Sequence, residues 1–589
     1  MMTVTARTLC EAFQATASTD PDAVALRTAD NATVITWRDY AARVRRIAAG
    51  LVALGVRPGD TVGLMLSNRP EFHVIDTAVL HTGAIPFSIY NTNPPEKIHQ
   101  LFANAENRIV LCEAQFVDAL TAAQAMGGTV ERLVCLDAVG GFMTLAELEA
   151  AGDPGFEFES TWRAVNPDAP ATIIYTSGTT GPPKGVELTH TNVLAVHRAV
   201  DATAGLSPAD EMISYLPDAH AANRMLCHYA SQIFGVRIAA LDDLRQIRDA
   251  LITVRPTVFL GVPQTWYRLK SAIEAGIAER SALEQRLATW ALGVGAEVAR
   301  RTSAGIPIPA ALRLRHAVAE QLVLSTLRAA LGLDRSRVAI SGAAPIAPEA
   351  HEFVLGLGVQ VLETWGMSEC AAVATLNPPD AWRIGTVGPA IATCEIAVAE
   401  DGELLIRGPM VMPRYRNDPE QSAAAIDADG WLHSGDIGTV DADGYYRIVG
   451  RKKELIINAG GKNMSPTVIE GALRVACPLL GQVVAIGDGR PHVTALVTLD
   501  PDAAAAHAAQ HGRADATVAA LAADPEIHKL VEEAVAQANS KLSRVEQIRD
   551  FTIVPEVWEP GGELVTPTLK LRRGPIAEHY ADDIARMYP

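Results

Sequence analysis

The chain has 589 residues, 49% of them hydrophobic and 20% charged, which is apolar material for several buried cores and, as a prior from length, three or four lobes. Its formal net charge of -18 opposes general attraction to nucleic acid or an anionic bilayer, so an anionic substrate must be met by locally placed Lys, Arg and backbone dipoles. Seven scattered cysteines without a CxxC argue against a disulfide framework or zinc site, the opening residues lack a secretory pattern, and no apolar run approaches the roughly 18 residues of a membrane span. A soluble, cytoplasmic chain is expected, with the inner membrane face as the place of any peripheral contact.

In chain order, residues 36–54 read as an amphipathic helix, 61–66 as a strand and 71–82 as a helix. Residues 109–112, 258–260, 337–341 and 359–363 read as further core strands, each after a helical stretch, and such alternation means α/β architecture with covered sheets. From about residue 386 the texture changes to short strands and Gly/Asp turns, at 403–407, 438–440 and 445–449, a β-rich subdomain. Beyond residue 451 comes a mixed segment, with strands at 483–486 and 492–499 and a helix at 524–541. The Ala-rich stretch 502–523 reads as an exposed helix pair. Composition alone places no boundary at Gly450.

Residues 171–185, ATIIYTSGTTGPPKG, run a short apolar strand into a loop of Ser, Thr and Gly closed by Pro-Pro-Lys-Gly, with residues 186–190 as a return strand. Gly178, Gly181 and Gly185 let backbone N–H groups turn toward an anion; Thr176, Ser177, Thr179 and Thr180 add hydroxyl donors and Lys184 a positive charge. The Walker A pattern fails, because Gly185 rather than Ser or Thr follows Lys184. A second cluster, VLETWGMSEC at 361–370, sets Trp365, Gly366 and Glu369 immediately after a strand, where open α/β sheets bind ligands. Trp365 offers a flat face, Gly366 close backbone approach, and Glu369 a hard oxygen ligand for magnesium. Read blind, Glu369 is a surface carboxylate and Trp365 a core aromatic. Asp436 falls in a Gly-bounded turn, an Arg451-Lys452-Lys453 cluster precedes a flexible Gly460-Gly461 pair, and Lys570 lies near the C-terminus.

The order of these residues resembles the adenylate-forming (AMP-binding) enzymes, the group of acyl-CoA synthetases, luciferases and peptide-synthetase adenylation domains. Five motifs stand in the family's order between Thr176 and Lys570. The resemblance implies a large N-terminal domain of layered sheets and helices with a β-rich subdomain, residues 1–450, and a small mobile α+β C-terminal domain, 451–589. It makes Lys184, Glu369 and Lys570 catalytic. Thr176, Ser177, Gly178, Thr179 and Thr180 become phosphate-side contacts, and Gly342 and Ala343 of the SGAAPI loop adenine-side ones. Glu363, Thr364, Trp365, Gly366 and Ser368 join the nucleotide site, where Asp436 and Arg451 bind ribose. Glu369 and Thr176 would serve the metal, Lys453 would be the hinge, and Gly460, Gly461 and Lys462 would line the CoA path. Trp365 replaces the commoner Tyr and Ser368 the commoner Thr.

The segments LPDAHAANR (216–224) and VPQTW (262–266) resemble the acyl-site segments of long-chain fatty acyl-CoA synthetases. His220 would stand at the carboxylate end of that site, and Trp266 either walls the acyl tunnel or is a core aromatic. His197 reads as a helix-surface residue. Asn223 stands where Glu is common and Gln264 where relatives carry Arg. The implied activity is an ATP-dependent fatty acid:CoA ligase using Mg2+, with fatty acid, ATP and CoA as partners, no nucleic acid, and room for a homodimer. The alternatives are a fatty acyl-AMP ligase delivering to a carrier protein and a non-catalytic acyl- or nucleotide-binding relative.

Overall fold

The computed structural model describes residues 5–176, 183–458, 462–513, 516–559, 561–566 and 570–588. An eight-stranded sheet runs, edge to edge, through Arg414–Tyr415, Lys184–Thr189, Pro170–Thr176, Ile85–Ser88, Thr61–Met65, Ile109–Cys112, Arg132–Cys135 and Met143–Thr144. Its middle strands pair in parallel, and Thr61–Met65 and Ile109–Cys112 are buried at every position, the continuous apolar run that a sheet covered on both faces demands. Helix Trp37–Ala53 packs on helix Pro70–His81, which contacts the sheet, and buries Tyr40, Val44, Ile47, Ala48 and Leu51, an i, i+4, i+7, i+8, i+11 stripe. Thr36 starts that helix by accepting from Asp39 N, a cap of about 1 kcal/mol.

A second sheet sets Val258–Gly261, Val338–Ser341 and Val361–Trp365 in parallel, with Thr375–Leu376 antiparallel at its edge. Three consecutive C-terminal strand ends therefore open on the same side. The expected β-rich subdomain is an antiparallel sheet of Glu395–Val398, Glu403–Arg407, Leu432–Val440 and Tyr446–Arg451. In the C-terminal part, Leu480–Ile486, Val493–Leu499 and Ile548–Ile553 form a three-stranded sheet packed on helices Pro466–Ala476 and Pro525–Asn539 around a core of its own. The α/β class and the division into a large and a small lobe stand as expected.

Four local expectations change. The strand expected from residue 359 begins at Val361, because Gly358 turns at φ 83° and Val359 N still bonds back to Val354 O; Trp365 is then the last strand residue rather than one beyond it. Asp436 lies within Leu432–Val440, not in a turn; Gly435 at φ 70° and a bulge at 437/438 bend a strand that continues through both. The Ala-rich stretch is one-sided rather than exposed: Ala504, Ala508, Leu521 and Ala522 of helices Pro501–Gln510 and Val518–Ala522 are buried against the C-terminal core. His197 is not a surface residue. It is 1% exposed inside helix His190–Ala204, its ring nitrogens 2.7 Å from Val193 O and 2.9 Å from Met225 O, and burial lowers its pKa.

Candidate active site

Thr176 and Lys184 face each other as the last antiparallel pair between strands Pro170–Thr176 and Lys184–Thr189. Ser177, Gly178, Thr179 and Thr180 lie outside the described residues. Gly185 is glycine because the sheet is crowded there: a Cβ would stand 2.9 Å from the Tyr175 ring and 3.1 Å from Arg416 Cβ. The neighbouring strand Arg414–Tyr415 is clamped by Glu187, 1% exposed, which accepts from Arg414 at 2.7 Å and Arg416 at 3.2 Å. That clamp sets Tyr415 beside Lys184. Lys184 Nζ donates to Gln421 Oε1 at 2.7 Å and stands 5.0 Å from the Tyr415 ring centroid, while Tyr415 OH donates to Glu369 Oε1 at 2.8 Å. Burial and the Glu369 charge both raise the tyrosine's pKa, so it remains a donor. A cation-π contact followed by a hydrogen bond thus joins the phosphate-loop lysine to the carboxylate through Tyr415.

The loop after Val361–Trp365 is compressed. A Cβ at Gly366 would meet Ala372 O at 2.3 Å, and Ala371 and Ala372 hold φ of 53° and 77°. Ala343, after the neighbouring strand end, holds φ 69°. Left-handed non-glycine residues cost on the order of 1–2 kcal/mol each, and here they gather where two strand ends face the cleft. Gly342 packs on Thr364, whose hydroxyl donates to Thr375 O at 2.6 Å; Ser368 is half-buried in the short turn that carries Glu369. Glu363 is turned inward. Its carboxylate lies 3.2 Å from His351 Nδ1 and accepts weakly from Ile346 N at 3.5 Å, so it braces the 342–346 loop.

Asp436 and Arg451 are cross-strand partners, and Arg451 Nε lies 2.8 Å from Asp436 Oδ1. The other carboxylate oxygen accepts from Trp365 Nε1 at 2.8 Å. Burial pushes the Asp436 pKa up from its ordinary value, and Arg451, the indole N–H and Lys570 pull it back. Lys570 lies immediately before Leu571, which bridges to Val565, and is anchored by its own N–H donating to Thr566 Oγ1 at 2.9 Å. Its side chain keeps solvent-accessible surface, yet both lobes surround it closely enough that loss of hydrating water is the largest influence on the ammonium. That desolvation and then Arg451 lower its pKa, against Asp436, Glu454 and Glu369. His220 is pushed down to about 3 by burial and by the Lys570 charge, and its Nδ1 accepts from Ala222 N at 3.1 Å, so the ring is neutral with its proton on Nε2.

The structure therefore brings together Lys184, Glu369, Trp365, Asp436, Arg451, Lys570 and His220. Trp266 is not among them. It is fully buried, edge-on to Phe259 at 5.5 Å, and its indole N–H donates to Gly261 O at 3.3 Å, the core alternative of the sequence reading. Lys453 is exposed in the turn between Tyr446–Arg451 and Ile456–Ile457; Gly460 and Gly461 lie outside the described residues, and the exposed Lys462 donates its backbone N–H to Asn458 Oδ1. Asn223 is buried and donates to Asp218 Oδ1 at 2.6 Å and Ser214 Oγ at 2.9 Å. Gln264 accepts from Arg474 of the small lobe at 3.4 Å, one of several contacts between lobes with Arg268–Asp500 and Lys541–Glu349, both at 3.0 Å. Sequence reasoning missed Tyr415, Gln421 and Glu454. RYRNDPEQ carries no spacing that ties it to Lys184; only the edge-strand pairing with Val186 does.

Magnesium keeps most of its waters and asks for one or two carboxylates. Glu369 fits: it is 8% exposed in the cleft, and only its Oε1 has a hydrogen-bond donor among the described residues. Thr176 closes the strand on the phosphate side.

A family model described as AMP-binding enzyme matches residues 13–416, and one described as AMP-binding enzyme C-terminal domain matches 453–589. The Mycobacterium tuberculosis protein fadD11, described provisionally as a fatty-acid–CoA ligase, is 48% identical over 450 residues, 76% of this chain and 79% of its own. The long-chain-fatty-acid–CoA ligase FadD15 of Mycobacterium bovis is 36% identical over 94% of this chain and 92% of its own. Among solved structures, ATP-bound MatB from Rhodopseudomonas palustris superposes with TM-score 0.69 at 25% identity, over 97% of this chain and 99% of that one. Among the described residues, no helix is long and apolar enough to cross a membrane.

Proposed function

The chain belongs to the AMP-binding enzyme family, and on that premise we propose that it is an ATP-dependent fatty acid:CoA ligase that forms acyl-AMP with release of pyrophosphate and then acyl-CoA. The observation that carries the reading is the meeting of Lys570, from the small lobe, with Asp436, Glu369 and His220 of the large one. A carboxylate is a poor electrophile, so its oxygen must first become part of a leaving group. Its attack on the α-phosphorus of ATP gathers negative charge on phosphate oxygens, and two ammonium groups entering from different lobes offset it; fixed charge of this kind is worth several kcal/mol of barrier.

Each residue then has a task. Lys184, fixed by Gln421 and Tyr415, meets the phosphate tail. Asp436 accepts from the ribose hydroxyls, and Arg451 keeps it ionised against burial. His220, uncharged beside Lys570, donates from Nε2 to the acyl carboxylate without neutralising it as a nucleophile. Glu369 and Thr176 would hold magnesium, which when bound neutralises phosphate charge. We further propose the domain boundary after Gly450 and the hinge at Lys453, supported by its exposed turn and by the second family model beginning at residue 453. Turning there would withdraw Lys570 and bring residues 460–462 to the acyl-adenylate for attack by the CoA thiol. A cytoplasmic location and a homodimer are compatible with this reading.

The test is pyrophosphate release from ATP with palmitate, followed by thioester formation on adding CoA. Release that depends on the acid supports the ligase; a wide panel of fatty acids giving no acid-dependent release contradicts it.

A further inference from the structure

Between the second-sheet strands Val258–Gly261 and Val338–Ser341 the chain makes a helical excursion, helix Ala282–Ser303 packed on helix Ala310–Ala319. Of the 17 large hydrophobic side chains exposed among the described residues, six lie on this excursion: Leu283, Leu287, Ile306, Leu314, Val318 and Leu322. Seventeen spread evenly would leave one or two there. Leu314, Val318 and Leu322, at 69%, 41% and 58% exposure, recur at i, i+4, i+8, while Leu312 and Ala319, at 5% and 0%, face the core. The outward stripe is thus a second apolar face on a helix whose first is already buried.

The charge is equally local. From Arg280 to Arg315 stand six arginines against two glutamates, in a chain whose net charge is -18. Arg300 and Arg301 are paired, with Glu352 and Glu297, whereas Arg280, Arg286, Arg313 and Arg315 are exposed and make no ion pair among the described residues. Unpaired arginine beside exposed leucine on a helix matches the chemistry of an anionic bilayer surface, where leucine enters the acyl boundary and arginine is attracted to lipid phosphates. The remainder of the chain, more acidic still, is repelled, and that orients the molecule.

We propose that this helical hairpin docks the protein on anionic membrane surface, with Leu314, Val318 and Leu322 inserted at the headgroup level and Arg313 and Arg315 on the lipid phosphates. The use of such docking, access to acids that partition into bilayers, rests on the fatty acid reading above; the docking itself does not.

Flotation of the full chain with phosphatidylcholine vesicles, and with vesicles containing phosphatidylglycerol, tests this without ATP, acid or CoA, so its failure is separate from failure of the ligase reading. Binding only to the anionic vesicles, weakened by salt, is expected. Leu314→Glu with Leu322→Glu, and separately Arg313→Glu with Arg315→Glu, should each lower the bound fraction on the order of tenfold, with thermal unfolding unchanged because all four side chains are exposed. Wild-type protein that stays unbound, or either folded variant binding like wild type, overturns the proposal. A wild-type dimer that Leu314→Glu with Leu322→Glu makes monomeric also overturns it, giving the face to a second copy.

Discussion

Two lysines serve one cleft, and they are held in opposite ways. Lys184 closes a strand pair inside an eight-stranded sheet, with Gln421, the Tyr415 ring and the Glu187 clamp fixing it. Lys570 stands beside the Val565–Leu571 bridge of the other lobe, anchored through its backbone and otherwise surrounded by the charges of Asp436, Glu454, Glu369 and Arg451. The first is part of the site as the lobe folds; the second is lent to it by the lobes' relative position. On the proposed mechanism, a group needed throughout is built in, and a group needed for one half-reaction is carried on the lobe proposed to turn.

The largest effect should come from breaking the lent side. Lys570→Ala is expected to slow adenylation on the order of 10²-fold or more, the scale for losing one well-placed electrostatic group, read by pyrophosphate release. Next, Asp436→Ala removes the carboxylate that accepts from Arg451 and the Trp365 indole and, on the proposed reading, the contact to ribose. A charged hydrogen bond of about 1.5–3 kcal/mol predicts a rise in the KM for ATP of roughly ten- to a hundredfold, with a smaller change in kcat.

A pH profile sharpens the contrast between the lysines. Lys570 acts as a cation in the proposed mechanism and its pKa is lowered, so adenylation should fall as pH rises through that lowered value, below the ordinary lysine range. Lys570→Arg, whose guanidinium stays charged, should move the alkaline limb upward; a limb unmoved by that change would assign it to another group. Smallest is Gln421→Ala. It frees Lys184 without removing its charge, for a loss of about three- to tenfold in kcat/KM, the value of one hydrogen bond. An effect as large as that of Lys570→Ala would mean that the built-in lysine is as precariously held as the lent one.

Strands at 109–112 and 403–407 match the structure residue for residue, because hydrophobic runs and Gly/Asp punctuation are local signals. Asp436 shows where local signals mislead. Glycines at 435 and 438 look like a turn, but the cross-strand partner Arg451 holds the chain extended through both. His197 looked polar and outward; its helix is covered on both sides, and two backbone carbonyls receive the ring. Of the candidate site, Lys184 was legible from the chemistry of its loop, whereas Trp365, Glu369 and Arg451 were legible only through the family's motif order, since their residue types alone point to core or surface. Tyr415, Gln421 and Glu454 were not, because each acts only through a neighbour that tertiary packing supplies.

The proposed division of labour has Lys570 serving adenylation alone. Its most direct test gives pre-made acyl-adenylate and CoA to wild-type protein and to Lys570→Ala and compares the rates of thioester formation. Nearly equal rates, beside a loss on the order of 10²-fold in adenylation, are the predicted result. A comparable loss in both half-reactions would contradict the division of labour between the two lysines.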